Sequence, residues 1–174
     1  SGSNNILKKM NRGYTKEYYL DLIKKIREVR PNAAITTDII VGFPGESEED
    51  FQDTVSLVNE VKFASAFSFM YSPRKGTPAT EFEDQVPLKE KKDRIHYLNK
   101  IINEHELNYN KNLQNIVLSC LIEGKYKGKD KLIGKTSGYR SVIVDGPESL
   151  VGEIVDVLIN DSSKQLKGKV VQEG

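Results

Sequence analysis

Thr37-Asp38-Ile39-Ile40-Val41-Gly42-Phe43-Pro44-Gly45-Glu46 is the stretch on which the fold turns. From Ala34 to Val41 the chain is β-branched and apolar, which reads as a buried strand. It breaks at Gly42-Phe43-Pro44-Gly45. Ser47-Glu48-Glu49-Asp50 follows, a capping-box pattern with acids where a helix N-terminus favours them. Phe51, Thr54, Val55, Val58 and Val61 then form a helical stripe. Upstream, Thr15 is placed to cap a helix over 14–30, with Tyr19, Leu22, Ile23, Ile26 and Val29 on one face and Pro31 ending it. Downstream, Ala64 to Tyr71 reads as a second strand, rich in Phe. Helix, strand, helix, strand in alternation means parallel β/α units.

Residues 72–87 hold Pro73, Pro78 and Pro87 and read as an ordered loop. Residues 88–113 return to a helix, with Ile95, Leu98, Ile102, His105, Tyr109 and Leu113 on one stripe. From Asn115 the texture changes: five short apolar runs (116–122, 131–135, 141–145, 153–159 and 166–171) are punctuated by seven glycines. Short strands with glycine turns predict a small closed β-barrel of the OB kind. The expected organisation is therefore α/β followed by all-β: a β/α portion over 1–87, a connecting helix over 88–114 and a barrel over 115–174. Two parallel strands make no stable sheet alone, because edges and apolar faces stay uncovered. The β/α portion is expected to be the end of a larger barrel, and the chain a piece of a longer protein. A compact α+β domain that pairs these strands differently is the alternative.

The 174 residues carry 26 Lys+Arg and 25 Asp+Glu, a net charge of +1. That excludes a grossly basic nucleic-acid binder, though not a local patch. No run of 18 apolar residues is present, so no transmembrane helix is expected. Ser1–Asn5 lacks the basic-then-apolar pattern of a signal peptide, and a cytoplasmic location without membrane contact is the expectation. One cysteine, Cys120, excludes internal disulfides and cannot hold an iron–sulfur cluster or a cysteine-rich zinc site by itself. Cys120, His96 and His105 read as packing residues.

Several stretches resemble one family, the radical-SAM methylthiotransferases. Residues 1–15 resemble the segment after the family's fourth barrel strand, residues 37–46 its fifth strand and loop, and Ala66-Phe67-Ser68-Phe69-Met70-Tyr71-Ser72-Pro73-Arg74-Lys75-Gly76-Thr77-Pro78-Ala79 its sixth strand and loop. The tail from Asn115 resembles the TRAM domain that ends these enzymes. The 66–79 wording is most similar to the branch that methylthiolates carbon 2 of isopentenyl-adenosine at position 37 of tRNA. The resemblance implies radical chemistry with S-adenosylmethionine and two [4Fe–4S] clusters, whose cysteines would lie in a missing N-terminal portion. It implies the anticodon stem-loop of tRNA as partner. Sibling enzymes acting on threonylcarbamoyl-adenosine in tRNA or on a ribosomal-protein aspartate, and a non-catalytic RNA-binding module, are the alternatives.

By the same resemblance Ser3, Asp38, Ile40, Gly42 and Glu46 are cofactor-side positions. Glycines at the carboxyl end of a strand let a ligand approach the backbone, but a turn that serves packing has the same sequence. Asp38, an acid in an apolar strand, needs a partner or a place facing the barrel mouth. Arg74, in a Pro-framed loop, suits a phosphate or base contact, or is part of a connection. Lys125, Lys127, Lys129, Lys131, Lys135 and Arg140 stand against one acid, Asp130, in 16 residues, with Tyr126 and Tyr139 interleaved. Cations with stacking rings suit RNA; a solvated hairpin is the plain alternative. The RNA-side candidates are Arg74, Lys125, Lys127, Lys129, Lys135, Tyr139 and Arg140. Anaerobic treatment of this chain with iron and sulfide should give no stoichiometric cluster absorption, because a cluster needs more thiolates than one; a stable cluster at one per chain would contradict this reading.

Overall fold

A computed structural model describes residues 1–127, 131–163 and 165–171. Lys129 and Asp130 of the cationic run lie outside the described residues. The described chain forms two compact units, 1–105 and 106–174.

The first unit starts with a short helix α1 (Asn4–Lys9), followed by α2 (Lys16–Val29), β1 (Thr36–Val41), α3 (Glu48–Val61), β2 (Ser65–Met70) and α4 (Leu88–Lys111), whose residues from 106 on belong to the second unit. Thr15 caps α2 as its sequence requires. Ser47 and Asp50 form a reciprocal capping box on α3. β1 and β2 pair in parallel, Thr36 opposite Ser65 through Val41 opposite Met70. The sheet has two unlike faces. Ile39, Val41, Ala66 and Met70 pack with Ile23, Phe51, Val55, Val58, Leu98 and Ile102 of the helices. Asp38, Ile40, Phe67 and Phe69 point the other way and are exposed.

Helix α1 has no counterpart in the sequence reading. Six residues are too few to display a period, and only the Ser3 cap marks the start. The 72–87 loop holds one short 3-10 turn, Pro78–Thr80. The boundary between units falls inside α4, where the sequence suggests a separate connector over 88–114. Leu98 and Ile102 are part of the first unit's core, whereas Leu113 packs on the barrel.

The second unit is a closed five-stranded barrel: β3 (Val117–Lys125), β4 (Leu132–Thr136), β5 (Ser141–Asp145), β6 (Ile154–Asp161) and β7 (Leu166–Val170). The order around it is β3-β4-β5-β7-β6, with β5–β7 the one parallel pair. Closure leaves no free edge strand. Alternate residues, among them Cys120, Ile122, Val142, Val144, Val157 and Ile159, fill the interior. Gly168 makes one close approach possible: a Cβ there would lie 2.4 Å from Val157 Cγ1 and 2.6 Å from the Leu158 carbonyl oxygen. Gly168→Ala should therefore destabilise the barrel by about 1–3 kcal/mol through overpacking. Gly124→Ala, which points into open space, should shift the thermal midpoint far less; equal midpoints for the two variants would contradict the close approach.

Candidate functional site

The turn from β1 to α3 lies at the carboxyl end of the sheet, where open α/β architectures bind ligands. Gly42 and Gly45 both have positive φ, 69° and 74°, a conformation that side-chain-bearing residues rarely adopt. Glu46, only 4% exposed, reaches back along the turn. Its Oε1 accepts from the Gly42 N–H at 2.8 Å and from Arg94 Nη1 at 2.9 Å, and Arg94 also donates to the Glu46 carbonyl. Burial pushes the Glu46 carboxyl above its ordinary value, against the pull of the Gly42 N–H and the Arg94 guanidinium. Glu46 Oε2 is buried and unpartnered among the described residues. Arg94, itself 4% exposed, also pairs with Glu90 and Glu48 and lies over the Phe51 ring. Lys91 occupies the space that a Gly42 side chain would need and donates to the Tyr71 carbonyl. The Gly45 N–H donates to the Asp84 carbonyl, and Lys9 reaches the Gly45 carbonyl.

The cofactor-side positions thus fall into two groups. Ser3, Gly42 and Glu46 are buried and occupied by protein partners. The Ser3 hydroxyl accepts from the Ile6 N–H and donates to Asp50. Asp50 also accepts from Ser47 and Asn5. Burial of Asp50 opposes ionisation, but these hydrogen bonds outweigh it and hold the carboxyl below its ordinary value. Any effect of this group on a bound cofactor runs through the shape of the turn. Asp38 and Ile40 form the second group. Both stand on the open face of β1, and among the described residues Asp38 has no hydrogen-bond or ion-pair partner. They fit direct contact with a ligand held against the sheet. Cys120 does not fit a cluster: it is sealed in the barrel, and burial pushes its thiol up to about 11, far from the thiolate that binds iron.

Arg74 is exposed, and its carbonyl rather than its guanidinium organises the loop, accepting from the Thr77 and Thr80 hydroxyls at 2.8 Å each. In the barrel the cationic run is less free than its composition suggests. Lys125 pairs with Glu148 at 2.7 Å and Lys131 with Asp145 at 3.0 Å. The Arg140 side chain is 11% exposed, 3.9 Å from Glu106 and 4.9 Å from the Tyr109 ring centroid. The sequence places Arg140 with the surface cations; the structure places it largely inside, because the end of α4 covers it. Two cation–ring pairs face outward: Lys127 over Tyr126 and Lys135 over Tyr139, each 5.3 Å from the centroid, with Tyr139 75% exposed. Arg94, Lys91 and Tyr109 were not singled out in the sequence. Their signal was limited to a basic start and an apolar stripe on one helix.

No described helix is long and apolar enough to cross a membrane. Residues 1–58 match the Radical SAM superfamily and residues 117–171 the TRAM domain. The chain is 50% identical to the tRNA-2-methylthio-N(6)-dimethylallyladenosine synthase of Natranaerobius thermophilus over 99% of its own length and 39% of that protein's. It is 50% identical to the synthase of the same name from Clostridium tetani, over 98% and 38%. A third, from Carboxydothermus hydrogenoformans, is 50% identical over 92% and 37%. The chain spans less than two fifths of the length of these curated relatives.

Asp50 makes the packing of this site testable. Because its carboxyl is held low in the folded state, the stability it contributes is present above the ordinary carboxylate value. It is lost as pH falls through the folded-state value. Asp50→Asn should cost about 1–3 kcal/mol at neutral pH and flatten the acid limb of the stability profile; a parallel, merely offset profile would show that Asp50 is not the titrating group. Residues 1–58 thus carry a Radical SAM superfamily segment and residues 117–171 a TRAM domain, and along almost its whole length the chain is similar, at about half identity, to these synthases.

Proposed function

We propose that this chain is the C-terminal part of an enzyme that methylthiolates carbon 2 of dimethylallyl-adenosine (isopentenyl-adenosine) at position 37 of tRNA. In that enzyme residues 1–87 supply barrel wall and residues 115–174 the tRNA-binding domain. The observation that carries the reading is the union in one chain of a β/α segment whose sheet keeps one face open and a closed barrel bearing outward cation–ring pairs. The first suits a shared lumen and the second suits RNA.

S-Adenosylmethionine and reduced [4Fe–4S] iron, two clusters in all, supply the radical chemistry that an unactivated carbon requires. Asp38 and Ile40 line the cofactor side of the lumen, while Ser3, Gly42 and Glu46 hold the turn beside it in shape. The cluster ligands come from an N-terminal portion of the same protein. Lys127, Lys135 and Tyr139 contact the anticodon stem-loop. In the barrel run Lys125 and Lys129 join them, and in the first unit Arg74 offers a separate RNA contact. Arg140 supports the surface from beneath. The enzyme works in the cytoplasm with its tRNA.

Phosphate contacts make affinity fall by about 0.7–0.9 logarithmic units per contact for each tenfold rise in salt. Lys127→Ala/Lys135→Ala should flatten the salt slope for tRNA by about two units, with little loss of stability, since exposed cations contribute little to it. Titration of labelled tRNA with both proteins at several salt concentrations measures this. An unchanged slope would return the run to an ordinary solvated hairpin. The catalytic assignment is tested with the longer, cluster-loaded protein on anticodon stem-loop RNA carrying dimethylallyl-adenosine; absence of the 2-methylthio product would refute it.

A further inference from the structure

Beside the cofactor-side positions Asp38 and Ile40, the open face of the β1–β2 sheet carries two phenylalanines that the cofactor assignment leaves unused. Parallel register sets Asp38 opposite Phe67 and Ile40 opposite Phe69. Alternation along each strand puts all four on one side. Phe67 is 65% exposed and Phe69 52%. Two phenyl rings roughly 7 Å apart along one strand, with an isoleucine on the next, form a continuous apolar wall. The wall runs toward the carboxyl end of the sheet, where Val41 leads into the Gly42 turn. At its deeper corner stands Asp38, a carboxylate without a protein partner among the described residues. The surface therefore offers hydrocarbon contact over most of its area and one anionic acceptor at the edge.

That combination selects among modified adenosines. A dimethylallyl group is a neutral five-carbon hydrocarbon, and the N6–H it leaves on the base is a donor suited to a carboxylate. A threonylcarbamoyl group carries a carboxylate of its own. Against this wall it would bring like charge toward Asp38 and press polar atoms onto phenyl rings that cannot hydrogen-bond them. We propose that Phe67 and Phe69 form the wall that receives the dimethylallyl tail of the substrate adenosine, and that Asp38 beside them disfavours acidic tails. These are specificity-determining residues. The inference rests on the function proposed above and adds to it the side chains that read the substrate.

The test uses the longer, cluster-loaded protein and three anticodon stem-loop RNAs that differ only in the target base: dimethylallyl-adenosine, threonylcarbamoyl-adenosine or adenosine. For the wild-type protein, the dimethylallyl RNA should be bound best, and the threonylcarbamoyl RNA no better than the adenosine RNA. Phe67→Ala and Phe69→Ala should each raise KM for the dimethylallyl RNA at least about tenfold and shrink its advantage in binding over the adenosine RNA. Phe67→Leu and Phe69→Leu, which keep the apolar volume and the fold, should recover most of both. Asp38→Asn should narrow the gap between the dimethylallyl and threonylcarbamoyl RNAs. Alanine variants that keep the full discrimination overturn the proposal. So do variants whose S-adenosylmethionine affinity falls by the same factor as substrate affinity, since the wall would then belong to the cofactor. Leucine variants that fold but recover nothing also overturn it. A wild-type protein that binds the dimethylallyl RNA best yet makes no product would refute the proposed reaction while leaving the wall as the reader of the tail.

Discussion

The buried pair of Glu46 and Arg94 is the interaction on which the β/α unit depends. Two charges removed from water are costly unless each finds further partners. Here Glu46 also receives the Gly42 N–H, and Arg94 also reaches the Glu46 carbonyl, Glu90 and Glu48. The consequence is geometric. One guanidinium from α4 fixes the end of β1, the start of α3 and the left-handed glycines between them. The helix that closes over the sheet is therefore the same helix that sets the shape of the ligand-side turn. Ser3 and Asp50 repeat this logic in the first turn of α3, joining the start of α1 to the α3 capping box.

The sheet shows what this framework is for. Helices cover one face so completely that Val41 has no exposure, whereas the opposite face of the same two strands presents two phenylalanines to solvent. A strand with one face sealed by a rigid helical layer holds its other face in fixed register, because any slip would turn core residues outward. Residues on the open side are thus positioned by packing they take no part in. This is the arrangement in which a binding surface is varied without disturbing the core beneath.

The elements that were legible in the sequence are those whose signal is local. The β-branched run to Val41, the Ser47–Asp50 box, the Thr15 cap and the five glycine-punctuated strands each announce themselves within ten residues, and each is present. Helix α1 escaped because six residues show no period. The two groups of cofactor-side residues could not be separated in sequence, since burial of Ser3 and Glu46 depends on Asp50 and Arg94, both distant in the chain or on another element. Arg140 reads as one more surface cation until Glu106 and Tyr109 are seen against it. In each case what was hidden is a tertiary partner, and composition carries no trace of who that partner is.

The strand order of the barrel bears on how it is made. β7 lies between β5 and β6, and it pairs with β5 in parallel. During synthesis β3, β4 and β5 can zip together as successive hairpins while they emerge from the ribosome, and β6 can join β3. Until Leu166–Val170 has emerged, however, β5 and β6 each keep an unpaired edge, and the interior is open along one seam. Ring closure thus waits for the last strand of the domain rather than proceeding gradually. A barrel that still lacks β7 is a sheet with two sticky margins, the form of this domain most in need of a chaperone.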